Sequence, residues 1–263
     1  MSLSRLAMRI AAARALNGAT LAEGRVFDSM IDPMALTREE NGQPAIVVFT
    51  DDHVSEPQGR DLYNGEQTCD LIVEIVIASQ ASAPGEDGGA QVSVTIPHTD
   101  EGMEMVLDLI EAQVVRTLTG EVNDWAGVWM ALVPRIIARV SKRGAAVENG
   151  ARFAARQLVL SCDLTADPVP AAAPSAGSAW GRVLAAMEAD ANLTGVAQIL
   201  RAQIVSDRAD WRAVADALGI AEQAADQIGI GPVLDLPNLN PQPATEIFLD
   251  QEGDGGDITI TEE

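Results

Sequence analysis

The stretch from Glu66 to Ser79 reads Glu-Gln-Thr-Cys-Asp-Leu-Ile-Val-Glu-Ile-Val-Ile-Ala-Ser, and it decides the fold. In an extended chain Cys69, Leu71, Val73, Ile75 and Ile77 point to one side, while Thr68, Asp70 and Glu74 share the other with Ile72 and Val76. This pattern predicts the longest strand of the molecule, and the apolar members of its second face predict cover on that side too. Upstream, Ala45-Ile-Val-Val-Phe-Thr50 follows Pro44 as a further strand, ended by Asp51-Asp52 and a loop with Pro57 and Gly59. Arg25-Val-Phe-Asp28 reads as a brief strand, and Pro33 with the polar run Thr37 to Gly42 as a loop. At the start, Leu6, Ile10, Ala13 and Leu16 recur at helical spacing after Ser4, with Asn17-Gly18 as the stop.

Downstream, the glycine-rich segment Ala81 to Ala90 predicts a hairpin connection to a strand from Gln91 to Ile96. A helix is expected from about Thr99, as cap, to Leu118, with Met103, Val106, Leu107, Ile110, Val114 and Leu118 on one face. Asp124 to Arg143 reads as another helical stretch, kinked or split at Pro134, and Phe153 to Leu164 as the strand that closes the sheet. Three prolines between Asp167 and Gly177 have linker composition. Beyond them only helical spacing remains: Trp180, Val183, Leu184 and Met187; Leu193, Val196, Ile199, Leu200 and Ile204; Trp211, Val214, Ala215 and Leu218. Ala215-Asp-Ala-Leu-Gly-Ile220 is echoed by Ala225-Asp-Gln-Ile-Gly-Ile230. The predicted organisation is an α/β (α+β) domain over 1–167, a Pro/Ala-rich linker over 168–177, a helical subdomain over 178–231 and an extended acidic tail over 232–263. Within the first domain a mostly antiparallel sheet is flanked by helices, and the C-terminal helical extension is expected to swing on its linker.

The 263 residues hold 17 Lys+Arg against 39 Asp+Glu, a net charge of −22, and 47% are hydrophobic. That apolar fraction excludes a wholly disordered chain, and the most apolar run, Leu71 to Ala78, is broken by Glu74 and too short to span a bilayer. The N-terminal arginines Arg5, Arg9 and Arg14 lie within an amphipathic stretch rather than before a continuous apolar run, so a secretory signal is not expected. Half of the net charge lies after Arg212, the last basic residue. A chain so acidic repels phosphate backbones unless a local basic patch overcomes the field. One candidate patch exists, Arg135, Arg139, Lys142, Arg143, Arg152 and Arg156, and no aromatic side chains are interleaved there for stacking on bases. Its plainest reading is a solvated helix end facing an acidic neighbour.

Chemistry-bearing patterns are sparse. The chain has no GxxxxGK[ST], GxSxG, HExxH or CxxC, and its two histidines, His53 and His98, fall in separate loops. No cofactor and no metal is therefore expected. Asp51, Asp52, Glu56 and Asp61 form a carboxylate cluster, but aromatics are 3% of the chain, so the aromatic-lined substrate cleft of a glycosidase-type pair is not foreshadowed and a solvated loop is the simpler reading. Asp250-Gln-Glu-Gly-Asp254 mimics the opening of an EF-hand loop, yet Pro237, Pro241 and Pro243 stand where a flanking helix belongs. Cys69 and Cys162 sit in the like contexts Thr-Cys-Asp-Leu and Ser-Cys-Asp-Leu on the more apolar faces of their strands. Buried free thiols are expected, with a cross-strand or intersubunit disulfide left open and no histidine placed nearby by the sequence.

The order of elements is more telling than any motif. A short N-terminal helix, Gly24-Arg-Val-Phe-Asp-Ser29, Gln43-Pro-Ala-Ile-Val-Val-Phe-Thr-Asp-Asp52, the long strand Thr68 to Ser79, a Gly-rich hairpin, the Thr99 to Leu118 helix and Ala154-Ala-Arg-Gln-Leu-Val-Leu160 follow one another. Over about the first 167 residues this order resembles the tail terminator (tail completion) proteins of long-tailed bacteriophages and phage-like particles. The resemblance implies a non-enzymatic α/β protomer that forms a homohexameric ring in the virion and is assembled in the host cytoplasm. It would cap the tail tube and join it to neck and connector proteins, in contractile tails also to the sheath, with DNA passing through without specific binding and no membrane involved. A head-to-tail connector or stopper of the neck is the nearest alternative; from other classes, a small acid-catalysed hydrolase using Asp51, Asp52 or Asp61, or an acidic DNA mimic. A ring needs two unlike patches on each subunit. The basic stretch Arg135 to Arg156 and the acidic stretch Asp51 to Asp61 are the candidate subunit interface.

Overall fold

The computed structural model describes residues 2–30, 43–59, 61–80, 100–148 and 151–205. The readings that concern residues 31–42, 81–99 and 206–263 lie outside these: two loops, the strand from Gln91 to Ile96, the Thr99 cap, His98, the helix around Trp211, the echoed hexapeptides, the EF-hand mimic and the acidic tail.

Helix α1 (Leu3–Leu16) forms where an alanine-rich sequence meets a strong N-terminal cap. The Ser2 side chain accepts from Arg5 N, and the Asp167 carboxylate accepts from Leu3 N (3.2 Å) and Ser4 N (2.7 Å). The helix stops at Leu16, and Gly18 takes the left-handed backbone (φ +74°) that the Asn17-Gly18 pair foreshadows. Strand β1 (Val26–Asp28) runs parallel to β2 (Ala45–Gln58), which pairs antiparallel with β3 (Asp61–Gln80). Helix α2 (Asp100–Thr119) and helix α3 (Asp124–Leu132) follow, then β4 (Arg135–Glu148), β5 (Ala151–Leu164), α4 (Ala179–Ala189) and α5 (Thr194–Val205). The five strands lie in the order β1-β2-β3-β5-β4, antiparallel except for β1 with β2. The fold is thus α/β with a mostly antiparallel sheet flanked by helices, as the alternation in Glu66 to Ser79 predicts.

The core lies between the sheet and the helices. Cys69, Leu71, Val73, Ile75 and Ile77 of β3 meet Leu158, Leu160 and Cys162 of β5 under Met103, Leu107, Ile110 and Val114 of α2. On the second face of β3 Ile72 and Val76 are buried too, and burial pushes the half-buried Glu74 carboxyl above its ordinary range.

Three expectations are corrected. The stretch Asp124 to Arg143 is not a kinked helix: α3 ends at Leu132 and Arg135 opens β4. Pro134 pushes Val133 out of helical geometry (φ −114°, ψ 85°), and Asn123 caps the short helix in front by accepting from Ala126 N (2.9 Å). Nor does Asp51-Asp52 end its strand. β2 continues to Gln58 and β3 begins at Asp61, joined by a tight turn in which Gly59 adopts φ +70°. Finally, the helices after Gly177 do not stand apart. Trp180, Val183, Leu184 and Met187 of α4 and Ala197, Leu200 and Ile204 of α5 belong to the same core as α1 and α3. The Pro/Ala stretch between is fastened on the way: Trp180 Nε1 donates to Ala166 O (3.2 Å) and Ala171 N to Ile204 O (2.9 Å).

Candidate functional site

Two sets of charged residues define the surface of the sheet, and they sit at its opposite edges. The basic set lies on β4 and β5. From Arg139 onward the residues of β4 alternate: Arg139, Ser141 and Arg143 face the helices, with Arg156 on β5 directly opposite Arg143. Above them α2 presents Glu104, Asp108 and Glu111, whose i, i+4, i+7 spacing places them along one stripe. Arg139 pairs with Glu111, and Arg143 with Glu104. Arg156 reaches Glu104 and Asp108 at 2.9 Å each and Glu111 at 3.3 Å, while Ser141 Oγ donates to Glu111 Oε2 at 2.9 Å.

The network is partly dry. The side chain of Glu111 is 7% exposed and that of Arg156 16%, whereas Arg139 and Arg143 reach water. Burial alone would push the Glu111 carboxyl up, but hydrogen bonds from Arg139 and Ser141 and the nearby guanidinium charges outweigh it and hold it below the ordinary range. The Glu104 carboxyl is held low chiefly by its hydrogen bond from Arg143. Arg135 stands apart from this network: on the face turned away from the helices it pairs with Asp163 at 2.6 Å. Lys142 is exposed on that face and makes no ion pair among the described residues. Arg152 lies in β5 opposite Ser79 and Val147.

The basic stretch is a pair of strands rather than a helix end, and the acids that Arg139, Arg143 and Arg156 meet belong to helix α2 of the same chain. Its three carboxylates, Glu104, Asp108 and Glu111, were not singled out by sequence reasoning. Their spacing on a helix is a visible signal, but the partners lie 28 to 52 positions away in sequence and no local pattern links them.

The acidic set occupies the other edge. Asp51 and Asp52 are exposed in a bulge, where β2 has an irregular register between Thr50 and His53. Glu56 is exposed directly opposite Glu66, and Asp61 pairs with Gln58 beside the turn. β5 accompanies β3 only from Gln67 onward, so the β2–β3 pairing from Glu56 opposite Glu66 outward is a two-stranded arm that projects beyond the sheet. The arm is tight at its crossing: a Cβ on Gly65 (φ +151°) would lie 2.2 Å from Glu56 O. Val54, at its base on the outer strand, is 55% exposed, and Tyr63 on the arm is exposed as well.

At the base of the arm, His53, Cys69 and Cys162 occupy consecutive register positions on β2, β3 and β5. The sequence placed no histidine beside a thiol; the sheet does. His53 nonetheless turns to Gln67, with Nε2 3.4 Å from Oε1. Both thiols are free and buried, and burial pushes them up, Cys69 to about 11 and Cys162 to about 12, so neither is an activated nucleophile. Among the described residues no group of three His, Cys, Asp or Glu side chains could hold a metal ion. An open cleft beside α3 and α4 is lined by Glu121, Asn123, Asp124 and Arg182. No helix of the described residues is long and apolar enough to cross a membrane. No protein-family model and no curated protein matches the chain.

Proposed function

We propose that this protein is a non-enzymatic structural component of a ring that caps the head-proximal end of a phage-type tail tube, ends tube growth and joins the tail to the neck. The observation that carries this reading is the pair of unlike edges. A sheet with an acidic projecting arm on one side and, on the other, an outer strand whose Lys142 is exposed and makes no ion pair among the described residues offers two different patches per subunit, which is what head-to-tail closure into a ring requires. The order of elements supports it, from α1 through the β2–β3 hairpin and α2 to β5. Charge supports it too: with a net charge of −22, a ring of such chains repels DNA in its lumen and lets it pass.

The test is imaging of the purified chain alone and with growing tail tubes. Six-fold rings, and tubes that stop at a capped end, are the expected result. Monomers under both conditions, with tube growth unchanged, would overturn the reading. A mobility-shift assay at physiological salt is expected to show no appreciable duplex binding; micromolar affinity with a steep salt slope would move the basic strand from subunit joint to nucleic-acid site.

A further inference from the structure

We infer that the joint between neighbouring copies is made by the acidic β2–β3 arm of one chain laid against the basic outer edge of β4 in the next, on the ring reading above. Backbone pairing makes both edges available. Beyond Val48, where β1 ends, no described strand pairs with the outer side of β2, and none pairs with the outer side of β4 along Arg135–Glu148. Strand direction makes them compatible. β2 and β5 run one way, β3 and β4 the other, so continuing the sheet from one copy into the next sets β2 antiparallel to β4 without turning either face over.

The side chains then meet in the right sense. Val54 and Glu56 lie opposite Thr68 and Glu66, on the face turned away from the described helices; Val140 and Lys142, opposite Val159 and Gln157, lie on that same face. Val54 and Val140 are both half-exposed and apolar, and Glu56 and Lys142 are exposed and of opposite sign. The same charges disfavour the alternatives. β4 against its own copy offers Lys142 no acidic partner, because its arginines are already paired with Asp163, Glu111 and Glu104, and arm against arm sets Asp51, Asp52 and Glu56 against their like.

The joint is short. The bulge before His53 and the missing N–H of Pro57 leave only a few backbone groups of β2 to add to the ladder, as edge strands that must avoid indiscriminate pairing commonly do. Charge therefore carries much of its strength and selectivity, and assembly should weaken with salt. An isolated two-stranded arm is marginal in water, so a neighbour that covers it also orders it.

The test uses full-length Glu56→Lys and Lys142→Glu, each alone and mixed one to one, with assembly followed by light scattering against concentration at low salt. Each variant alone brings like charges together at every joint and should raise the midpoint concentration of assembly by about tenfold or more. The mixture can alternate around the ring with opposite charges at every joint and should return to the wild-type midpoint, which also shows that both variants fold. In wild-type assemblies of light and heavy-isotope chains, carbodiimide should couple an arm carboxylate of one chain to Lys142 of another. If wild-type rings form but the mixture is not rescued, or coupling joins other surfaces only, the arm-to-edge joint is wrong while the ring reading stands. If the wild-type chain forms no ring, both fall.

Discussion

The β2–β3 arm and the C-terminal helices exchange the places that their sequences suggest. Prolines and alanines precede the helices like a hinge, yet Trp180, Leu184, Met187 and Ile204 are as buried as the centre of the sheet. The arm lies mid-domain with no linker on either side, yet it projects with Glu56 facing Glu66, both in water. Attachment is decided by whether a periodic apolar face finds a complement, not by the composition of the connection. The helices carry such a face and the arm does not.

Removal should expose that contrast most strongly. Cutting the chain at Ala176 strips the cover from α1 and α3 and is expected to yield an aggregating protein, whereas replacing 56–66 by a short turn should leave a folded, soluble chain that no longer assembles; far-UV circular dichroism and size exclusion read both. Trp180→Ala, which empties a buried indole site and loses its hydrogen bond to Ala166, should cost about 3–5 kcal/mol in denaturant unfolding. Glu111→Ala leaves Arg139 and Arg156 without a shared partner and should cost about 2–3 kcal/mol, less than the ~3–5 of a fully buried pair because Arg139 reaches water and Arg156 keeps Glu104 and Asp108.

A smaller effect appears with acid. The Glu104 and Glu111 carboxyls lie below their unfolded value of about 4.3, so the folded state binds fewer protons; their contribution is present above that pH and is lost as pH falls through the folded values. The raised Glu74 carboxyl opposes this slope. Stability measured from pH 6 to 3 should fall less steeply in the Glu104→Gln, Glu111→Gln double variant than in wild type. The smallest effect is expected on the arm: Glu56→Gln relieves the repulsion from Glu66 and should change monomer stability by no more than about 0.5 kcal/mol, toward greater stability.

Much of the fold was legible because burial writes a period into the chain. The face from Met103 to Leu118, the alternation around Val73 and the Trp180–Met187 stripe are all found where spacing places them. Strand β4 was hidden because an edge strand rich in Arg, Lys, Gly and Ala carries no apolar alternation, and Pro134 could as well kink a helix as end one. The arm was hidden because Asp, Glu, Pro and Gly resemble a loop until a partner strand pairs them. Of the candidate site, the two unlike charge sets could be read, but not their fates. Which arginines are consumed by α2 and which cation, Lys142, stays in water depends on register across β5, information that no local window holds.

The clasp of Asp167 on the first turn of α1 has a consequence for synthesis. The residue that satisfies Leu3 N and Ser4 N is made more than 160 positions later, and β3 likewise waits for β5 before it gains its second neighbour. At roughly 5–20 residues per second, translation needs on the order of ten to thirty seconds to deliver it. Until then the nascent chain carries a helix capped by Ser2 alone and, once β3 is made, a half-clad apolar strand, so its apolar surface is exposed well before Asp167 emerges.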